Sequence, residues 1–357
     1  MKNVLRSGAV AAAFGVGLSL AVLPAVPANA AAAIRVPCND ITALKAAINN
    51  ANSSPNAGRI TLASHCTYTL TAPDNADDGL PEITGSVTIT GRDTTIRRAP
   101  NATQDFRIFH VPAAGGVRTL TLNSLTVSGG SLPNFGGGGI WNSGTLNLNR
   151  TTVKDNRAET SAGIHNVGGR LNLDHSTVER NTATRNGGGI LNGRNQILDQ
   201  PGTVTMKGGA LLDNRALNDG GGGLENLRST ANLESVEVKG NSAPRGGGIN
   251  QFAGTLNLKS TTLSNNIAVT GAGLRNSLST ATLVRSLVTR NTAITAGGGI
   301  FNENSSSVTL RDSRVVRNRP DNCSPAGSVP RCTDPANAVT PPSSQLPPPA
   351  KGSKVHK

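Results

Sequence analysis

Short runs of alternating apolar and polar residues recur along this chain in a fixed order. They can be counted from an asparagine that returns as Asn156, Asn181, Asn214, Asn241, Asn266, Asn291 and Asn318. Three positions before it the residue is always aliphatic: Val153, Val178, Leu211, Val238, Leu263, Val288 and Val315. Eight before it stand Leu148, Leu173, Met206, Leu233, Leu258, Leu283 and Leu310, and ten before it Leu146, Leu171, Val204, Ala231, Leu256, Ala281 and Val308. Alanine follows two positions later in six cases, from Ala158 to Ala293. Alternation over so few residues is the mark of a half-buried strand. A second phrase, small residues then Ile or Leu, any residue and an amide, reads Ile140-Trp-Asn142, Ile164-His-Asn166, Ile190-Leu-Asn192, Leu224-Glu-Asn226, Ile249-Asn-Gln251, Leu274-Arg-Asn276 and Ile300-Phe-Asn302. The aliphatic residues of this phrase are 24, 26, 34, 25, 25 and 26 positions apart.

A period of that size predicts a stacked-repeat architecture. Each repeat is expected to hold three short strands, the second ending in the first Asn and the third being the Gly-Ile-x-Asn phrase. Such a unit cannot bury its apolar side alone, and stacking makes the core continuous. The class is all-β, a parallel β-helix of about nine coils. Residues in one column support the register: Asp174, Lys207, Glu234 and Lys259 alternate in sign, as do Asp155, Arg180 and Asp213, so stacked neighbours would pair rather than repel. An earlier coil with Leu120, Leu122 and Val127 carries Gly130 where the Asn is due. The step of 34 comes from residues Gly193 to Thr203, which must leave the stack as a loop. Both Asn columns are expected to form ladders. If the second faced solvent, Asn241→Leu would cost far more than Asn142→Leu.

Before the repeats, residues 39–52 read as a helix with Ile41, Leu44 and Ile48 on one face and Asn39 or Asp40 as its cap. Short strands are expected at Arg59–Leu62, Thr67–Leu70, Val87–Thr90 and Thr94–Arg97. After Asn318 the prolines Pro320, Pro325 and Pro330 end the pattern. The expected organisation is a signal peptide over 1–30, an N-terminal cap over 31–85, the β-helix over 86–319, a disulfide-braced cap over 320–334 and a disordered Pro-rich basic tail over 335–357.

The signal peptide is read from the charged start, the apolar run from Ala9 to Val26 and the Ala28-Asn29-Ala30 cleavage pattern. Removing Lys2 and Arg6 with it takes the formal charge from +13 to +11. A secreted chain with that excess favours anionic partners such as wall or matrix polysaccharide. Four cysteines in an exported chain point to two disulfides, with Cys38–Cys66 and Cys323–Cys332 the simplest of three connectivities. No second long apolar stretch argues for a membrane span. No nucleic-acid partner is expected, and a monomer is.

The order Cys38-Asn-Asp-x-x-Ala-Leu-Lys-Ala-Ala-Ile48-Asn-x-Ala-Asn52, Ile60-Thr-Leu62, Cys66-Thr-Tyr68-Thr-Leu70, Gly79-Leu80-Pro81 and then the repeats resembles secreted actinobacterial β-helix proteins of the pectin-lyase-like superfamily. The repeat phrase is also similar to that of chlamydial polymorphic outer membrane proteins. The resemblance covers roughly 35–318. It implies a right-handed helix whose open N-terminal end is capped by the 39–52 helix. Enzymes of this superfamily cleave acidic polysaccharides, the lyases with calcium held by clustered carboxylates, the hydrolases with two or three aspartates.

No such carboxylate cluster is visible in the repeat columns. Asp155 and Asp213 are separated by Arg180, and Asp174 and Glu234 by Lys207, which reads as structural pairing. No catalytic residue, metal ligand or cofactor is therefore assigned. The residue between Ile and Asn is the one position the repeat leaves variable: Trp141, His165, Leu191, Glu225, Asn250, Arg275 and Phe301. Trp141, His165, Arg275 and Phe301 are the candidate binding residues on it. One Trp and one Tyr argue against a long sugar groove, which needs aromatic platforms. The expected function is a non-catalytic scaffold or adhesin-like protein. The alternative is a polysaccharide lyase or hydrolase, with Gly193–Thr203 walling a groove and Asp199 as a candidate carboxylate.

Overall fold

The structure, a computed structural model, describes residues 33–54, 57–113, 116, 118–193, 200–303 and 305–334. The expected signal peptide, Asp199 and the Pro-rich tail lie outside the described residues. The chain from 33 onward is a parallel β-solenoid of about 11 turns rather than nine. The difference lies at the start: Ile34–Val36 and Gly58–Leu62 pair in parallel with each other and then with Ser86–Arg98, so they join the stack. Those turns carry neither the Asn nor the glycine column, and a count by repeat passes over them.

Each regular turn has four short strands, not three. In one turn they are Thr145–Asn149, Thr152–Lys154, Arg157–Thr160 and Ile164–Asn166. The added strand follows the first Asn, and its inward residue is the recurring alanine: Ala158 pairs in register with Ala183, and Ala183 with Ala216. Alanine there lets the wall approach closely, which is why the alternation is too short to read as a strand. The long strand Ser86–Arg98 spans two walls at once and joins the two short strands expected at Val87–Thr90 and Thr94–Arg97, and Thr119–Ser128 pairs along it in the same way.

One apolar core runs from Val36 to Val329 and includes Ile140, Ile164, Ile190, Leu224, Ile249, Leu274 and Ile300. The helix Ile41–Asn52 begins at Asp40, whose carboxylate accepts from the Ala43 N–H at 2.8 Å. It buries Leu44, Ala47, Ile48 and Ala51 in that core. Gly58 allows the approach, since a Cβ there would lie 2.3 Å from the Ala51 Cβ.

Both amide columns are buried, so the two do not differ in exposure: Asn142 and Asn241 are each 0% exposed. In the first column, Asn156 to Asn318 donate from Nδ2 to Oδ1 of the next at 2.9–3.1 Å. Each also receives or gives backbone bonds, as when Asn241 Nδ2 donates to the Leu211 carbonyl at 2.9 Å. At Gly130 the backbone N–H alone meets Asn156 Oδ1, at 2.9 Å. The column ends on Asn322, which accepts from Asn318 at 3.1 Å. In the second column Asn142, Asn166, Asn192 and Asn226 donate onward at 2.6–2.7 Å, the last to Gln251. There the chain of bonds breaks. Gln251 Nε2 and Asn276 Oδ1 are buried without a hydrogen-bond partner.

Disulfides join Cys38 to Cys66 and Cys323 to Cys332. Among the described residues no helix is long and apolar enough to cross a membrane.

Candidate functional site

The variable column does stack in register, from Trp141 beside His165 to Arg275 beside Phe301. It also extends one turn further, because His110 pairs with Trp141. It is not an open face. His165, Leu191, Glu225 and Asn250 are 3–5% exposed. The glycine-rich turn of each coil folds back over the column. Gly221, at φ +68, sits where a Cβ would lie 2.5 Å from the Glu225 Cβ, so the phrase needs glycine both for the turn and for the close approach. The four candidate binding residues therefore form two separate groups, Trp141 with His165 and Arg275 with Phe301, divided by buried neighbours.

Around Trp141 the chain gathers a mixed cluster. The Trp141 and His165 rings lie 4.5 Å apart, and His110 meets Trp141 edge-on at 6.3 Å. The Arg107 guanidinium lies 5.4 Å over the indole. It also pairs with Asp78 at 2.6 Å and Asp77 at 2.7 Å. His110 Nδ1 is 3.2 Å from Asp78 and 3.3 Å from Glu82. Burial would raise the Asp78 pKa, but the His110 hydrogen bond and the Arg107 charge outweigh it and hold the carboxyl below its ordinary value.

Further along, Asp219, Glu225, Arg245, Asn250 and Arg275 line a pocket of about 150 Å³. Asn250 donates to both Glu225 oxygens, at 2.8 and 3.0 Å, and accepts from Arg275 at 3.2 Å. Arg245 pairs with Asp219, and Arg275 with Glu303. Burial outweighs the Asn250 hydrogen bond, which pulls the other way, and with a smaller push from the Asp219 charge raises the Glu225 pKa to about 8. Glu225 is thus a proton-carrying acid at neutral pH, while its neighbours are ion-paired.

A third feature lies on the last two turns of the first wall. Arg285, Arg290, Arg311, Arg314 and Arg317 are all exposed. Among the described residues none of the five makes an ion pair, although such pairs occur earlier, as between Arg180 and Asp155 at 3.0 Å and Lys259 and Glu234 at 2.5 Å. Register explains the contrast. Thr289 pairs with Val316, which stacks Arg290 on Arg317, like on like.

Sequence reading by columns missed Asp77, Asp78, Glu82 and His110, because the Asp-Asp-Gly segment reads as a turn and His110 has no Gly-Ile before it. It missed Asp219 and Glu303 because both sit in turns. His110 was detectable from its place one step before Trp141 in the column.

No protein-family model matches the chain, and no curated protein matches it. Among solved structures it is similar to a GH82-family iota-carrageenase from A. fortis, crystallised in the absence of chloride ions, at 12% identity and a TM-score of 0.24. The match covers 76% of this chain and 56% of that one, so the chain spans little more than half of that protein's length. At that level the likeness carries no argument about activity.

Proposed function

We propose that the protein is an extracellular, non-catalytic solenoid scaffold that binds an anionic wall or matrix polysaccharide along its arginine face. The observation that carries this reading is the set of five exposed arginines on two adjacent turns that make no ion pair among the described residues. Stacked like charges repel, and a polyanion laid along the coil would relieve that repulsion. Each arginine is too exposed to act strongly alone, so affinity must come from their number and fall with salt. Co-sedimentation with polyuronate or teichoic-type polymer is expected to be strong at about 10 mM salt and to vanish near 1 M. Arg290→Glu with Arg317→Glu is expected to abolish it at low salt with the melting temperature preserved. Binding unchanged by salt or by the double variant would overturn the proposal.

A second reading is a lyase or hydrolase of acidic polysaccharide, favoured by one observation, the proton-carrying Glu225 beside Asp219 in a polar pocket. An acid that keeps its proton at neutral pH, set near a second carboxyl group, is what glycoside hydrolysis requires. Release of reducing ends or of unsaturated uronate from a polymer panel, with and without calcium and lost in Glu225→Gln, would decide for it.

A further inference from the structure

We propose that Asp78, Glu82 and His110 form a binding site for a divalent first-row transition ion such as Zn²⁺. Their ligand atoms all lie within 4.8 Å of one another. His110 Nδ1 lies 3.2 Å from Asp78 Oδ2 and 3.3 Å from Glu82 Oε1. Two donors each about 2.1 Å from one ion stand about 3.0 Å apart at a right angle and about 3.4 Å apart at the tetrahedral angle. The two spacings from the imidazole nitrogen are therefore those of neighbouring ligands around a small ion. One ring nitrogen faces two carboxylate oxygens, and its single N–H can serve only one of them fully. An ion in place of that proton would serve both.

The Asp78 carboxylate is held in place by a bond that does not use its ligand atom. Asp78 is 1% exposed, and its other oxygen accepts from Arg107 Nη1 at 2.6 Å. Arg107 is fixed in turn by Asp77 and lies over the Trp141 indole. Partners of this kind orient metal ligands and sharpen affinity. The backbone carrying them is pinned as well. Gly79 N–H donates to the Arg107 carbonyl at 2.7 Å, and Ile83 N–H to the His110 carbonyl at 2.9 Å. Asn52, at the end of the helix, donates to the Glu82 carbonyl at 2.8 Å.

The donor set chooses the ion. An imidazole nitrogen with two carboxylates suits zinc and its first-row neighbours, whereas calcium and magnesium take oxygen ligands. Three protein ligands leave coordination positions for water, and Asp78 and Glu82 both line a solvent-open hollow with Asn49, Asn52 and Asp74. The other histidine–carboxylate contacts in the described chain, His65 with Asp93 and His175 with Asp174, are exposed pairs without a third ligand.

Trp141 is the only tryptophan in the chain, and its ring lies 6.3 Å from the His110 ring. The full chain, stripped with chelator, is titrated with Co²⁺ while indole fluorescence is followed, and Zn²⁺ is then added as competitor. The site predicts quenching that saturates at one equivalent and is reversed by one equivalent of Zn²⁺. Glu82→Gln, which removes a partly exposed ligand without breaking the Asp78–Arg107 pair, is expected to weaken binding at least tenfold, as is His110→Ala. Quenching that never saturates means an adventitious ion only and overturns the proposal. The same midpoint in Glu82→Gln as in the wild type overturns it too, even if His110→Ala fails to fold.

Discussion

At the scale of single residues, the second amide ladder shows how little separates a fit from a fault. Gln251 accepts well from Asn226, but its extra methylene carries Nε2 past Asn276 and leaves two buried polar atoms unsatisfied. A buried group in that state costs ~1–3 kcal/mol. Gln251→Asn is therefore expected to raise stability by about 1 kcal/mol or more, read as an upward shift in thermal midpoint; no shift would mean the gap is otherwise filled. Asn241→Leu should do the reverse. It strands the Leu211 carbonyl and the Asn214 backbone N–H, and because both columns are buried, Asn142→Leu should also be costly. Glu225 makes a second residue-scale case. Its pKa is raised from 4.5 to about 8 in the fold, so the folded state holds a proton that the unfolded chain releases between those values. Its contribution is intact below about pH 4.5, falls as pH rises, and is fully lost above about 8. The loss is on the order of a few kcal/mol for so buried a group. Glu225→Gln should flatten that part of the stability–pH curve; parallel curves for wild type and variant would refute the assignment.

At the scale of elements, columns were readable from the sequence and corners were not. Inward aliphatics, both amides and the alternating charges repeat at fixed offsets, so one sequence contains many samples of the same position. The fourth strand was hidden because its only inward residue is alanine, too small to register as apolar alternation. The mixed cluster around His110 and the acids of the Glu225 pocket come from turns, where no repeat supplies a second sample. Alternation with the inward Ile and Leu makes the variable column read as outward, yet the glycine turns cover half of it. That depends on backbone φ at Gly221 and its equivalents, which no side-chain pattern reports. The C-terminal element carries its own prediction. Asn322 ends the first ladder, and the adjacent Cys323 is tied to Cys332 across a separation of 9 residues. Reducing that bridge should loosen Asn322 and speed amide exchange first at 307–318, while mid-stack amides stay protected. Uniform acceleration along the stack would show that the end is not a separable unit.

At the scale of the whole solenoid, charge is distributed unevenly along the stack. Opposite charges alternate through the middle turns and like charges accumulate at the last two, so the attractive term for a polyanion is concentrated at one end. The salt dependence proposed for binding belongs to this scale, since it reflects summed charge and no single contact. The Gly193–Thr203 insertion acts at the same scale. Asn181 and Asn214 are 33 positions apart where other ladder neighbours are 25 to 27 apart, and their amide bond, 3.0 Å, is no different. Closing a longer loop adds only a small logarithmic entropy cost. The stack thus counts turns and not residues. A frame of this kind lets its corners lengthen, acquire new side chains and be selected for new contacts without disturbing the walls, and the corners are where the acids outside the repeat columns, Asp77, Asp78, Asp219 and Glu303, are found.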